Sequence, residues 1–165
     1  MPAPSLPEPP RTWRSQIDVS VGPEKLLETL TSVEACEAWS PVGFDIEGAR
    51  AGRLRSGTKV DVSGAIVGRR VSFRVEIMRA DHERLVLRAN GPVELVADYA
   101  VRPTAGGSRV DAAISVDRGA GGSRLATRAV SIMLAGGALN QALARIAREA
   151  ERRHAFAAQI QAGWR

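Results

Sequence analysis

The residue types that most often carry chemistry are scarce in this sequence. There are two histidines, His82 and His154, and one cysteine, Cys36. A nucleophile needs a neighbouring base, and a metal ion needs several converging ligands. One cysteine excludes both an intramolecular disulfide framework and a cysteine-based zinc site. Two histidines exclude a multi-histidine centre. His82 sits in a turn signal, Asp81-His82-Glu83, and His154 near the end of a helical pattern, so nothing draws the two together. Asp61, Glu76, Glu94, Asp98, Asp111 and Asp117 mostly share strand parity with arginines. That pattern predicts cross-strand ion pairs on a wet face, each worth little, rather than an acid–base pair. Gly121-Gly122-Ser123 precedes a helical pattern and could offer free N–H groups to an anion, but a flexible turn is the simpler reading. No phosphate-binding loop is present. Neither a metal nor an organic cofactor is expected.

Two polar side chains remain as candidates. Tyr99, the single tyrosine, falls on the inward parity of its strand. A buried phenol wants a partner and can orient a ligand or act as a weak acid. Asn140 stands beside the apolar stripe of the last helical pattern. Both are expected as polar handles, not catalysts. Gly136-Gly137 interrupts that pattern at a cost of about 1 kcal/mol per glycine relative to alanine. The pair marks either a close approach of ligand or sheet to the helix backbone, or a kink.

These residues must be positioned by one domain, since 165 residues with 44% hydrophobic and 25% charged side chains suit a single core. Residues 1–12 are proline-rich and are expected to be a disordered tail; the ordered domain is expected over residues 13–156. Ile17, Val19 and Val21 alternate with polar residues as in a half-buried strand. Pro23 then starts a helical segment whose apolar face is Leu26, Leu27, Leu30 and Val33, and Pro41 stops it. From Gly43 the period is two for about 75 residues. Phe44 and Ile46 make a short strand, and a glycine- and arginine-rich loop spans 48–57. Val60–Ile66 and Val71–Ile77 follow, separated by a turn at Gly68-Arg69. Strands around Leu85–Leu87, Val93–Val101 and Val110–Val116 complete an antiparallel meander with one dry face. Gly119–Gly122 ends the sheet and Ser123 is a good N-cap. One long helix is predicted over 124–156, its stripe running through Leu125, Ala129, Ile132, Met133, Gly136, Leu139, Leu143, Ile146 and Ala150. Residues 157–165 are expected as a frayed tail or a helical extension.

Charge and hydropathy narrow the partners. The net charge is +5 and the pI about 10.5, yet the basic residues are spread along the chain and aromatics are only 4%. No nucleic-acid motif appears, so no nucleic-acid partner is expected. The longest uncharged stretch, 129–144, has 16 residues and is interrupted by polar ones. A spanning helix needs about 20, so stable membrane insertion is not expected. The N-terminus carries five prolines in its first ten residues and no apolar run, unlike a signal peptide; a cytoplasmic location is expected. Only two residues, Lys25 and Lys59, are lysines against the many arginines, a bias that resembles a GC-rich bacterial coding preference.

A curved antiparallel sheet with a dry face must bury it, and the long helix is the only element large enough to cover it. The order of elements resembles the α+β helix-grip fold of the START-like (SRPBCC) superfamily, with about seven strands around a C-terminal helix. In particular it resembles the bacterial polyketide cyclase/dehydrase and lipid-transport family. The resemblance rests on the strand running into a proline-started helix from Ile17 to Lys25, on Glu37-Ala38-Trp39-Ser40-Pro41, and on Gly57-Thr58-Lys59-Val60. Leu26 and Leu27 stand where that family often has an aromatic residue. Inward parity supplies Phe73, Val75, Leu87, Leu95, Ala97, Tyr99, Val110, Ala112 and Ile114, and the helix would add Ile132, Met133, Gly136, Gly137 and Asn140. Alternation alone does not separate a ligand cavity from a filled core; the resemblance implies a cavity. It implies a module that binds a small hydrophobic or amphipathic molecule, a lipid or polyketide. A cyclase or dehydratase using the same cavity is the first alternative, and a toxin-like interaction protein of a two-gene module the second. Monomer and homodimer are both compatible with the sequence.

Overall fold

The alternation of apolar with charged residues builds a single sheet. The computed structural model describes residues 10–39, 44–47, 52–66, 68–117 and 122–164. Seven strands, β1 (Arg11–Val19), β2 (Phe44–Glu47), β3 (Lys59–Ile66), β4 (Arg69–Ala80), β5 (Arg84–Asn90), β6 (Glu94–Thr104) and β7 (Gly107–Asp117), pair antiparallel in the order β1-β7-β6-β5-β4-β3-β2. Strands β2 to β7 are a meander, and β1 returns beside β7, with Trp13 opposite Ile114 and Ile17 opposite Val110. Helices α1 (Pro23–Thr31) and α2 (Val33–Trp39) connect β1 to β2, and α3 (Arg124–Ala135) and α4 (Ala138–Gly163) follow the sheet. The helix-grip architecture is thus an α+β fold, as the sequence implies.

Outward parity carries the charges. Arg74 pairs with Asp61 at 3.3 Å, Arg84 with Asp98 at 3.3 Å, Arg88 with Glu94 at 3.8 Å and Arg109 with Asp18 at 2.7 Å. Arg102 pairs with Asp111. All are solvent-facing cross-strand pairs whose individual contributions are small. The inward parity packs against the helices in two clusters. The larger joins Leu26, Leu30, Leu85, Val110, Leu143 and Ile146; the smaller joins Phe73, Ala89, Val93, Val116 and Val130 under α3.

The single helix expected over 124–156 is two helices, bent by 60° at Gly136-Gly137. Gly137 takes a left-handed φ of +95°, which L side chains adopt only at a cost. The break resets the helical phase. Leu125 and Ile132, assigned to the buried stripe by spacing, are 66% and 62% exposed. The inward side of α3 is instead Ala126, Val130, Met133 and Leu134, spaced i, i+4, i+7 and i+8. Ser123 caps α3 as expected, its Oγ accepting from the Ala126 N–H at 3.2 Å.

Smaller differences concern boundaries. Strand β1 begins at Arg11, pairing with Val116, so Arg11 and Thr12 are not part of a tail. Helix α4 runs on to Gly163 instead of stopping at Phe156, although its side chains beyond Arg153 are exposed. The segment after Pro23 breaks at Ser32, where the strap at residues 52–54 is bound: Val33 N–H donates to Gly52 O at 3.0 Å and Leu54 N–H to Thr31 O at 2.7 Å. Arg69 already pairs with Ile66, which places the β3–β4 turn one residue earlier than Gly68-Arg69. The first nine residues, Pro41, residues 48–51 and Gly119–Gly121 lie outside the described residues.

Candidate functional site

Between sheet and helices lies a cavity of about 260 Å³. Its floor is the inward face of the four strands β4 to β7. Phe73, Val75 and Ile77 come from β4, Leu85, Leu87 and Ala89 from β5, Leu95, Ala97 and Tyr99 from β6, and Ile114 from β7. Strand side chains two apart point the same way, so period-two sequence alone puts them on one wall. Val130, Met133 and Leu134 of α3 and Ala138, Leu139 and Ala142 of α4 form the roof. Cys36, Glu37 and Trp39 of α2 close one side, and Val60, Val62, Ile46 and Leu54 the other margins. Small side chains in the wall, Ala89 and Ala97 on the floor and Ala138 and Ala142 on the roof, leave space that larger residues would fill.

Among the candidates read from the sequence, Phe73, Val75, Leu87, Leu95, Ala97, Tyr99, Ile114 and Met133 come together around this space. Four others do not. Ala112 is buried in the packed core, among Val110, Leu143 and Ile146. Gly136 and Gly137 make the bend and contribute nothing to the lining. Asn140 is exposed, and its side-chain carbonyl accepts from the Ser15 hydroxyl, tying the start of α4 to edge strand β1. Its neighbour Leu139 is buried as the stripe predicts, and Asn140 stands one residue round the helix, outside the buried face. Spacing did not expose Cys36 and Trp39. They are three apart on α2, hence on one helical face, and that was the available signal.

A family described as polyketide cyclase/dehydrase and lipid transport matches residues 11–151. The chain belongs to that family. The match takes in the whole sheet, the roof and the α2 wall, and stops before the exposed end of α4. No curated protein matches the sequence. Among solved structures, a Nitrosomonas europaea protein is similar with a TM-score of 0.66 at 15% identity, covering 87% of this chain and 96% of that one. A Thermus thermophilus protein gives 0.65 at 15% identity, covering 87% and 99%. A START superfamily protein from Mycobacterium smegmatis gives 0.63 at 16% identity, covering 86% and 97%. These likenesses show the START-like fold.

In this member of the polyketide cyclase/dehydrase and lipid transport family, polar groups reach the cavity wall at few points. Tyr99 is buried, and burial, then the neighbouring Cys36, push its phenol ionisation well above the ordinary range. The Cys36 thiol donates to Leu30 O at 3.5 Å, and burial lifts its pKa to about 12. Both are therefore neutral at physiological pH, and the thiol is not a poised nucleophile. Trp39 meets Tyr99 edge-on, with ring centroids 6.0 Å apart and planes at 72°. Its Nε1 is buried without a hydrogen-bond partner. Glu37, exposed, is the one charged residue among the described lining. His82 and His154 are both exposed and outside the lining. Among the described residues no cluster of three or more His, Cys, Asp or Glu side chains is placed to hold a metal ion. No single helix is long and apolar enough to cross a membrane; α3 and α4 meet that composition only when taken together across their bend.

Proposed function

We propose that this protein binds a small hydrophobic or amphipathic molecule, lipid- or polyketide-like, in the cavity between the sheet and α3–α4, and releases it chemically unchanged. The observation that carries this reading is the character of the wall. Apolar side chains from the strands and from three helices converge on one space; of the groups there that could move a proton, the two buried ones, Tyr99 and Cys36, are held neutral by burial, and Glu37 stands exposed at the margin. A general acid or base works best with a pKa near the operating pH, and neither group has one. The family's description, which pairs cyclase/dehydrase activity with lipid transport, keeps a cyclase or dehydratase as the competing reading, with Tyr99 as its proton donor. The binding reading calls for no metal, organic cofactor or nucleic acid, and for a cytoplasmic monomer or homodimer.

A cavity of 260 Å³ holds roughly nine water-sized groups at ~30 Å³ each. Each buried methylene contributes about 0.8 kcal/mol, close to fourfold in affinity. Affinity in a series of alkyl ligands should therefore climb about fourfold per carbon and level off once the chain exceeds the space. Ala97→Phe puts a ring into the middle of the cavity and should abolish uptake, while Arg148→Ala, on the exposed side of α4, should leave it unchanged. Native mass spectrometry and displacement of a fluorescent fatty-acid probe measure both. A wild-type protein that carries no small molecule and displaces no probe would overturn the binding reading. A ligand that returns altered would establish the enzyme.

A further inference from the structure

The last turns of α4 are uncovered, and we propose that they pair antiparallel with the same segment of a second copy of this chain. This surface lies outside the cavity, so the inference is independent of the binding reading. Helix α4 carries one seam at alternating spacings of four and three: Leu139, Leu143, Ile146 and Ala150, then Arg153, Ala157, Ile160 and Trp164. Such heptad spacing is what lets two helices pack along each other. The first four seam residues are buried in the core of the domain. Beyond Arg153 every described side chain of the helix is exposed. Ile160 is 48% and Trp164 87% exposed, and Phe156, beside the seam, 61%. The family match ends at residue 151, so the extension is no part of what the family shares. From Ala155 to Trp164 there is no charged residue. A helix face meant for water ordinarily carries charge. An exposed, uncharged stretch with two aromatic rings has the composition of an interface core, and a helical segment this short is marginal without packing.

Reach and complementarity select the occupant. Ser15 bonds to Asn140 and Ser20 to Glu151, so β1 runs beside α4 and starts at the end remote from the extension. The ten residues before Arg11 would need to span ~40 Å to reach Ile160 and extend to ~36 Å at most, so they do not cover it. An anionic membrane finds little charge to hold: Arg152 and Arg153, at the base of the extension, already bind Glu149 at 2.6 and 3.0 Å. A second copy fits. With Arg153 set opposite Trp164 of the second copy, antiparallel pairing sets Ala157 opposite Ile160, and two-fold symmetry makes each contact twice. Small meets large at the centre of the seam, the alternation that lets facing side chains interdigitate. At each end a guanidinium meets an indole. Four aromatic side chains at ~150–250 Å² each, with two isoleucines, bring the contact near the ~1,000 Å² that a specific interface needs. The expected dimer is therefore a reversible one, with a Kd of roughly tens of micromolar.

Sedimentation velocity of the full chain, from about 1 to 300 µM, tests the pairing, because a dimer of this kind forms by mass action. The average mass should rise from the 17.6 kDa of one chain towards twice that value. Ile160→Asp and Trp164→Ala should each weaken the dimer about tenfold or more, as loss of a central interface side chain does. Both side chains are exposed in the single chain, so the thermal midpoint at the lowest concentration should not move. Arg128→Ala, on the exposed side of α3, should change neither reading. Nitroxides on Arg148→Cys, in a Cys36→Ala chain, report direction by pulsed electron resonance. Antiparallel pairing places them ~30–35 Å apart by helical rise, and parallel pairing within ~15 Å. A chain that stays monomeric to the highest concentration overturns the proposal. So does a dimer that Ile160→Asp leaves intact, since it would lie on another face. A short label separation overturns the antiparallel arrangement. A monomer that instead binds phosphatidylglycerol vesicles, and loses them on Trp164→Ala, would give the extension to a membrane.

Discussion

Alanine at each of the two glycines between α3 and α4 should have different effects, and the contrast tests why the roof of the cavity bends. Gly137 sits at φ +95° and ψ 16°, and a Cβ there would meet nothing within 4 Å. Gly137→Ala therefore meets no clash, and its cost is that of holding an L-residue in the left-handed region, about 1–2 kcal/mol. Gly136 is at φ −79°, ordinary for any residue, and its Cβ would lie 3.3 Å from Ile132 O and 3.5 Å from Met133 O. Small adjustments relieve that, so Gly136→Ala should be near neutral. For a domain of this size 1 kcal/mol shifts the thermal midpoint by roughly 2–4 °C. Gly137→Ala should lower the midpoint by about 3–6 °C by calorimetry or circular dichroism, Gly136→Ala by less than ~1 °C. Gly137→Asn should fall between wild type and alanine, because asparagine tolerates the left-handed region. Helix propensity alone makes the opposite statement: in a continuous helix, alanine at either site stabilises by about 1 kcal/mol. A midpoint that rises on Gly137→Ala would show that α3 and α4 form one straight helix in solution. The bent roof, with Val130, Met133 and Leu134 over the sheet, would then be wrong.

Two further perturbations follow from the packing. Gly107, at φ +149°, has Val19 O only 2.2 Å from where a Cβ would stand; Gly107→Ala should separate β1 from β7 and lower the midpoint by about 10 °C or more, and an unchanged midpoint would refute the close approach. With its pKa lifted to about 12, Cys36 should resist a disulfide reagent at pH 8 in the native protein and react at once in denaturant. The linked stability is fully present below the unfolded thiol's pKa of about 8.5 and declines by up to ~1.4 kcal/mol per pH unit above it, as the unfolded state loses a proton that the folded state keeps. Cys36→Ala should flatten that alkaline limb in urea titrations at pH 8 to 11.

The sheet was legible because its code is local and redundant. From Val71 to Ile77 every second residue is apolar, and a slip of one would bury Arg74 and expose Phe73, so register has one solution. The floor residues share that parity, and of the helix candidates Met133 lines the cavity. The helical half was less legible, for a physical reason. A stripe of period 3.6 extrapolates only while the helix is continuous, and two adjacent glycines are compatible with both a straight and a bent path. The bent path put Ile132 on the surface, and Asn140, just outside the buried face of α4, bonds to Ser15. Trp39 was visible only as part of a family-like motif, because nothing local in Glu37-Ala38-Trp39 says that the ring meets Tyr99, sixty residues on.

The charge of the chain and the chemistry of its cavity are separate facts, and keeping them apart changes what the basic pI means. A net charge of +5 invites an anionic ligand. Yet Arg74, Arg84, Arg88, Arg102 and Arg109 of the strands face outward, where Asp61, Asp98, Glu94, Asp111 and Asp18 pair with them. None belongs to the described lining. The field they create acts on whatever approaches the outside of the protein, and it decays within about 8–10 Å at physiological salt. Inside, the wall is almost wholly apolar, with Glu37 as the one charged residue of the described lining. Raising the salt should therefore leave the affinity of a neutral ligand unchanged or strengthen it slightly, as apolar transfer does. An affinity that falls steeply with salt would instead place the ligand on the arginine surface, outside the cavity.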